Sequence, residues 1–244
     1  MERVKIASMI TIRKNQERGH ADHGWLNTYH TFSFASYHDP AHMGFRSLRV
    51  LNDDRVAAGR GFGAHAHRDM EILTYVLDGS LVHKDSMGEK RTFGPNTVQA
   101  MSAGTGVVHS EFNASETEPV RFLQIWIEPA VRETEPSYQQ IPFDPEEKHG
   151  RLRLLAAPKE AANGHAAALY QDAYVYAAVL GSGESFKQAL APGRHAWVQV
   201  ARGDLAVNGQ ALAEGDGAAI SGESNLCFAG AGPHGSEFLL FDLP

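Results

Sequence analysis

The fold and the chemistry of this chain follow from two short stretches, GRGFGAHAHRDME at residues 59–71 and GTGVVHSEFN at residues 104–113. The first stretch carries His65 and His67, and the second carries His109 and Glu111. Side chains two residues apart on a β-strand point to the same face of the sheet. If the two stretches form neighbouring strands, three imidazoles and one carboxylate surround one point. The pattern therefore predicts a site for a divalent first-row metal ion with open coordination positions.

The predicted ligand set of His65, His67, His109 and Glu111 restricts the metal without naming it. Three neutral imidazoles and one carboxylate suit iron(II), manganese, nickel, copper and zinc, and they suit copper(I) and calcium less. Four protein ligands leave one or two positions open in a five- or six-coordinate ion, where water or a substrate oxygen binds. The site therefore predicts metal chemistry on a small molecule.

Glu71 and several glycines surround the predicted ligands. A regular strand would direct Glu71 toward the same region, and we interpret it as a carboxylate that orients a histidine rather than as a further ligand. Four glycines are expected to let the backbone turn tightly and bring the two strands close. They are Gly61, Gly63, Gly104 and Gly106.

The other histidines show no ligand pattern. Those at positions 20–42 lie at irregular spacings among aromatic residues, which indicates a packing segment rather than a second metal site. His83, His195 and His234 have no partner pattern. No G-x-S-x-G motif is present, and Cys227 is expected to lie in an apolar strand, so the sequence gives no support for nucleophilic catalysis.

Charge and cysteine content limit the partners. The net charge of −7 gives no basic field that would attract nucleic acid or anionic lipid, but it does not exclude a protein partner. The single cysteine, Cys227, excludes an intrachain disulfide and a thiolate-rich metal cluster. The start of the chain lacks the apolar stretch of a signal peptide, and no run is long enough to span a membrane. We therefore predict a cytoplasmic protein without nucleic-acid or membrane partners.

The remaining pattern predicts an all-β fold. Turn signals recur about every 8–12 residues, a spacing typical of sandwiches and barrels. Asp78-Gly79 and Asn208-Gly209 are candidate tight hairpin turns. Segment 160–170 is a candidate helix that Asn163-Gly164 would interrupt. The predicted strands include residues 45–51, 71–77, 97–101, 121–127, 197–201 and 237–241.

The order of motifs indicates two domains. A connector rich in proline and charge lies at residues 128–150, and the second half repeats the order of the first at a period of roughly 125 residues. We predict two packed β-barrel, jelly-roll-like domains: a metal-binding domain at 1–133 and a domain without metal ligands at 134–244. A monomer is expected, because the two barrels can bury each other's faces.

Several segments resemble the pirin family of the cupin superfamily. Residues 59–79 are similar to the first cupin motif, with Gly79 one position late. The second motif departs from the cupin pattern, because Ser102-Ala103-Gly104 replaces P-x-G and four residues precede His109. That departure, together with Glu111, is typical of pirins. Residues 24–34, 43–50, 69–76 and 101–106 also look like pirin signatures. The resemblance is strong over residues 10–128 and looser beyond, and it is greatest to bacterial pirin-like quercetin 2,3-dioxygenases.

This resemblance implies a bicupin that binds one metal ion on His65, His67, His109 and Glu111. Iron is the expected metal, with zinc, manganese, nickel, copper and cobalt as alternatives. The implied reaction is that of a quercetin (flavonol) 2,3-dioxygenase, which cleaves the heterocyclic ring with O2 and releases carbon monoxide. Glu111 would act as the general base that accepts the proton of the substrate 3-hydroxyl.

Two alternative functions stay open. Eukaryotic pirins are described as transcriptional co-regulators, so this chain could be a metal- or redox-sensing regulatory or interaction protein. It could also be a dioxygenase for another enolisable substrate, because one barrel hosts many reactions. An open, apolar-lined cleft large enough for a three-ring flavonoid favours the flavonol enzyme, whereas a sealed or narrow site favours the alternatives.

Overall fold

A computed structural model of the chain describes residues 9–244. The prediction that the start of the chain is not a signal peptide concerns residues outside this range. Within the described range the chain is all-β, as predicted. The strands are β1 Met9–Arg13, β2 Gly19–Asp22, β3 Leu26–His30, β4 Leu48–Val56, β5 Gly61–His67, β6 Glu71–Asp78, β7 Leu81–Asp85, β8 Lys90–Phe93, β9 Thr97–Ser102, β10 Val107–Asn113, β11 Val120–Ile127, β12 Ser137–Pro142, β13 Arg153–Pro158, β14 Ala167–Leu169, β15 Tyr174–Leu180, β16 Ser185–Ala189, β17 His195–Val207, β18 Gln210–Leu212, β19 Gly217–Ser221 and β20 Asn225–Leu243.

Helical structure in residues 9–244 is short. One α-helix, α1, covers Lys159–Ala162, and 3-10 turns cover Asn15–Glu17 and Pro145–Lys148. The candidate helix at 160–170 ends early, because Asn163 adopts the left-handed conformation with φ of 49°. The predicted interruption by Asn163-Gly164 is thus confirmed. In residues 9–244 no helix has the length and apolar character needed to cross a membrane.

The chain forms two compact units that are discontinuous in sequence. The N-terminal unit contains residues 19–143 and 156–172, and the C-terminal unit contains residues 9–18, 144–155 and 173–244. This division differs from the contiguous segments 1–133 and 134–244. Backbone pairing explains the difference: β1 pairs antiparallel with β19, from Met9 opposite Ser221 to Arg13 opposite Gly217, while β12 pairs with β9.

Two sheets build the N-terminal unit. The larger has seven strands in the order β12-β9-β6-β11-β4-β3-β2, and the smaller has four in the order β5-β10-β7-β8. The predicted strand at 45–51 begins only at Leu48, because Arg46 adopts a φ of 55° within a turn that pairs Phe45 with Leu48. The prediction of a hairpin at Asp78-Gly79 is wrong. At this point the chain passes from β6 in one sheet to β7 in the other, and Gly79 supplies the turn with a φ of 76°.

A buried row of polar side chains crosses the seven-stranded sheet. Residues opposite each other on paired strands share a face, and the register places His30, Asn52, Gln124, Thr74 and Gln99 in one line. All five are at most 8% exposed. This line, here called the polar row, separates two apolar clusters, one around Val120 and Phe122 and the other around Ile72 and Met101.

The C-terminal unit contains the strand order β1-β19-β17-β20-β15, with β16 paired to β20 and β18 to β17. Its core is apolar and includes stacked Phe228 and Phe238. Asn208 and Gly209 both have positive φ between β17 and β18, which confirms the predicted hairpin turn. Cys227 lies on β20 between buried Leu226 and Phe228, as expected for an apolar strand, and its own side chain is free and exposed.

Gly61 permits the close approach of β5 and β10. A Cβ atom there would overlap the Glu111 carbonyl oxygen and the Phe112 Cα, whereas a Cβ at Gly63 would meet nothing within 4 Å. The expected role of the glycines in bringing the strands together therefore applies to Gly61 and not to Gly63.

This difference provides a matched test of strand spacing. We expect Gly61→Ala to lower the free energy of unfolding by about 1–3 kcal/mol, because the overlapping atoms are backbone and must move. Gly63→Ala on the same strand should stay within about 0.5 kcal/mol of the wild type. Urea denaturation of both variants measures the difference, and equal stabilities would contradict the described packing.

Candidate metal centre

Three histidines meet where β5 and β10 pair. The strands are antiparallel neighbours, and His65 lies directly opposite His109. The Nε2 atoms of these two residues are 3.0 Å apart. The His67 ring centroid lies 4.8 Å from each of the other two, and one ring nitrogen from each histidine falls within 4.8 Å of the others. The predicted pairing of the two stretches as adjacent strands is thus confirmed.

The environment of these histidines suits metal coordination. His65 Nδ1 donates a hydrogen bond to the Gly63 carbonyl oxygen at 2.8 Å, which directs its Nε2 toward the Nε2 of His109. Burial and the neighbouring imidazole of His65 lower the pKa of His67 to about 4. Burial and the imidazoles of His65, His67 and His83 lower the pKa of His109 to about 2. His67 and His109 are therefore neutral at physiological pH, the state in which imidazole binds a metal.

Glu111 follows an irregularity in β10. The register with β5 shifts between His109 and Glu111, so the strand is not regular across the second pair. The carboxyl group of Glu111 is buried and accepts a hydrogen bond from Thr74 Oγ1 at 3.4 Å. Burial, with a smaller contribution from Asp54, raises the pKa of Glu111 to about 7. A carboxyl oxygen of Glu111 forms a second potential metal group with His109 and His83, again within 4.8 Å.

His83 is a buried residue beside the site for which the sequence showed no partner pattern. It lies opposite Glu111 on β7 and is fully buried. Its Nε2 donates to Asp85 Oδ2 at 2.9 Å, and its ring stacks on Tyr138 at 4.4 Å between centroids. Its ring centroid is 5.3 Å from that of His109. The available signal was the H-x-D spacing at residues 83–85, which places both side chains on one face of a strand.

Glu71 lies away from the histidines. Its buried carboxylate accepts hydrogen bonds from Ser102 Oγ at 2.8 Å and from the backbone N–H of Tyr170 at 3.4 Å. Burial raises the pKa of Glu71 to about 7. Within residues 9–244 its hydrogen-bond partners include no histidine, so the prediction that it orients one is wrong. The irregular chain between His67 and Glu71 explains this, because Asp69 has a φ of 48° and breaks the strand alternation.

The prediction that the histidines at positions 20–42 pack in the interior holds for His30, which is buried, whereas His20, His23 and His38 are exposed. The His20 ring stacks on Tyr29 with centroids 4.4 Å apart. Buried His30 pairs through Nδ1 with Asn52 Oδ1 at 2.9 Å. His42 Nδ1 lies 2.8 Å from Asp39 Oδ2.

A cavity opens beside the histidine cluster. It comprises about 380 Å³ between the atoms, part of it open to solvent. Only about 60 Å³ of this space can hold the centres of water-sized molecules, which is well below the roughly 300–1,000 Å³ typical of small-molecule sites, so the cavity in this structure is narrow. Phe34, Phe62 and Trp126 give it aromatic walls, and Asn52, Asp54 and Gln124 give it polar ones. His65, His67, His109 and Glu111 also face it.

Fold and site together define the class. A two-unit, all-β chain that collects neutral imidazoles and a carboxyl group beside a small cavity is a cupin-type protein with a divalent-metal site. The chain belongs to the pirin family. Residues 11–127 match the family model described as Pirin, and residues 154–243 match the model described as a quercetinase C-terminal cupin domain. The prediction from sequence motifs is confirmed.

Individual relatives are similar over nearly their whole length. A protein of Escherichia coli strain K12 named quercetin 2,3-dioxygenase is 46% identical over 236 residues, which cover 97% of this chain and 99% of that protein. A putative quercetin 2,3-dioxygenase of Pseudomonas aeruginosa is 46% identical and covers 89% of this chain and 93% of its own. The crystal structure of the bacterial pirin YhhW from Escherichia coli in complex with nickel(II) matches with a TM-score of 0.90 and 44% identity, covering 97% of this chain and 99% of that chain.

Metal binding should depend on pH through Glu111. Below about pH 7 the metal-free carboxyl group holds a proton that a metal ion must displace, and above it this competition ends. We expect the affinity for zinc to rise between pH 6 and pH 8 by about tenfold more in the wild type than in Glu111→Gln. Competition with a chromophoric chelator measures both affinities. Equal pH dependence in the two proteins would show that Glu111 does not exchange its proton for the metal.

Proposed function

We propose that this protein is a metal-dependent flavonol dioxygenase of the quercetin 2,3-dioxygenase type. The observation that carries the proposal is the union of three features in one cavity: a cluster of neutral imidazoles, the buried carboxyl group of Glu111, and aromatic walls. Relatives that are 46% identical over most of their length bear the name quercetin 2,3-dioxygenase, which supports the same activity here.

The metal would be held by His65, His67, His109 and Glu111. When bound, a divalent cation supplies Lewis-acid activation of a hydroxyl oxygen of the substrate. Iron is the metal we expect, and the ligand set also accepts nickel, with which the related YhhW was crystallised. Zinc, manganese, copper and cobalt are the remaining alternatives.

Glu111 is proposed as the general base. In the metal-free protein burial raises its pKa to about 7, so the carboxyl group can hold a proton near neutral pH, and in the proposed reaction it accepts the proton of the flavonol 3-hydroxyl group. The Thr74 hydroxyl donates to Glu111 Oε1 and also lies 3.2 Å from Gln124 Oε1, which ties the carboxylate to the polar row. This contact holds the acceptor oxygen in place.

The aromatic walls would bind the flat ring system. Trp126 contacts both the metal-site residue His67 and Phe34, with ring centroids 4.9 and 5.3 Å apart. Such rings bury a planar substrate and exclude water from the reacting atoms. The overall reaction adds both atoms of O2 to the flavonol, cleaves its heterocyclic ring, and yields a depside and carbon monoxide.

A metal-dependent interaction protein is the second candidate. The observation that favours it is the exposure of Val108 and Phe112, at 45% and 41%, on the strand that also carries His109 and Glu111. A partner bound to this strand would sense the metal site directly. Full metal occupancy without flavonol turnover would favour this function, or a smaller enolisable substrate.

Turnover by defined metal forms tests the proposal. The metal-free protein would be reconstituted anaerobically with each candidate metal and mixed with quercetin in air, while flavonol absorbance and carbon monoxide release are followed. We expect stoichiometric carbon monoxide with at least one metal. No carbon monoxide from any fully occupied form would contradict the proposed reaction.

Two variants separate the base from the metal ligands. Glu111→Gln should lower kcat by about 10²–10⁴-fold while it retains part of the metal, because it removes the proton acceptor. His65→Ala should lose both metal and turnover. Normal quercetin turnover by Glu111→Gln would show that Glu111 is not the general base.

A further inference from the structure

Asp54 presents an unpaired oxygen in the wall of the cavity. The residue is 4% exposed, and its Oδ1 atom is buried without a hydrogen-bond partner within the described chain. The Thr28 side chain lies close enough to the carboxyl group to favour its charged form. Burial raises the pKa of Asp54 to about 7, opposed by Thr28 and reinforced by the charge of Asp53. This carboxyl group, which lines the cavity, therefore has a buried oxygen without a hydrogen-bond partner in the described chain.

The neighbouring aspartate shows that the unpaired oxygen is unusual in this strand. Asp53 points to the other face of β4, where Arg121 binds it with two hydrogen bonds of 3.0 and 2.8 Å. Adjacent residues of one strand thus bury two carboxyl groups, one paired with a guanidinium and one facing a cavity. An unsatisfied buried acceptor is costly and persists in proteins mainly where something else binds it.

Asp54 occupies a defined position relative to the metal site. It is the next inward-facing residue after Asn52 on β4, opposite Thr28 on β3 and Phe122 on β11. Asn52 belongs to the polar row, whose member Thr74 contacts Glu111. Trp126 lines the same cavity, and its Nε1 donor is also buried without a partner in residues 9–244. The cavity therefore offers an acceptor and a donor beyond the residues assigned to the metal and the base.

We propose that Asp54 is a substrate-binding residue that pairs with a phenolic hydroxyl group and thereby selects polyhydroxylated flavonols over flavonols that carry only the 3-hydroxyl. The inference rests on the proposed function and specifies its substrate. A phenol donates to a carboxylate and accepts from a carboxylic acid, so the pair forms in either protonation state of Asp54. The Trp126 indole N–H offers a donor to a second oxygen of the same substrate.

The test compares the binding of quercetin with the binding of 3-hydroxyflavone, which carries the 3-hydroxyl group and none of the other hydroxyl groups of quercetin. The zinc-reconstituted protein would be titrated anaerobically with each flavonol, and the flavonol absorption band would report binding without turnover. We expect the wild type to bind quercetin at least about tenfold more tightly than 3-hydroxyflavone, as one hydrogen bond to a charged group allows. Asp54→Leu should lose this preference by weakening quercetin binding, with 3-hydroxyflavone binding within about twofold of the wild type.

Asp54→Asn is the matched control, because it keeps the shape and a hydrogen-bonding group, and it should retain most of the preference. Thermal unfolding of each variant verifies folding, and Asp54→Leu should be no less stable than the wild type, since it removes an unsatisfied buried group.

An unchanged preference in folded Asp54→Leu, or no preference in the wild type, would overturn the assignment. No flavonol binding at all would overturn it together with the proposed function. Binding with normal preference but no carbon monoxide from any metal form would overturn only the reaction.

Discussion

The antiparallel pairing of β5 with β10 is the constraint on which the rest of the site depends. It places His65 opposite His109 and brings their Nε2 atoms to 3.0 Å. Gly61 permits this approach, because any side chain there would overlap the β10 backbone. The cost of crowding neutral imidazoles in a partly buried place is offset when they share a cation. A slip of one residue in this register would place the pair on one strand on the opposite face from the pair on the other, which would abolish the site.

The interior behind this pairing is polar, which is uncommon for a β-sandwich core. The polar row joins Glu111 through Thr74 to Gln124, and the carboxyl groups of Asp54, Glu71 and Glu111 are all buried with raised pKa values. Such groups are costly when left unsatisfied. Both side-chain polar atoms of Gln99 and the Nδ1 atoms of His83 and His109 are buried without partners in the described chain. These unsatisfied groups lower the stability of the N-terminal unit, and they give its interior the capacity to bind polar atoms of a ligand.

Much of this arrangement was accessible from the sequence, and the failures have physical causes. The period-two spacing of the histidine pairs predicted their shared face, and turn residues predicted an all-β chain. The pairing of β1 with β19 could not be predicted, because it joins residues more than 200 positions apart and leaves no local signal. His83 and Asp54 were missed for a related reason. Their place at the site depends on residues of neighbouring strands: His83 lies opposite Glu111, and Asp54 lies opposite Thr28. The expected direction of Glu71 failed because Asp69 breaks the strand with a positive φ.

In the proposed site the metal is held by His65, His67, His109 and Glu111, although His83 also lies near His109 and Glu111. X-ray absorption spectroscopy of the nickel(II)-loaded protein distinguishes the two histidine sets by counting coordinated imidazoles. We expect three imidazoles in the wild type and in His83→Gln, and fewer in His67→Gln. Loss of an imidazole in His83→Gln with none lost in His67→Gln would contradict this assignment and move the metal to the group formed by His83, His109 and Glu111.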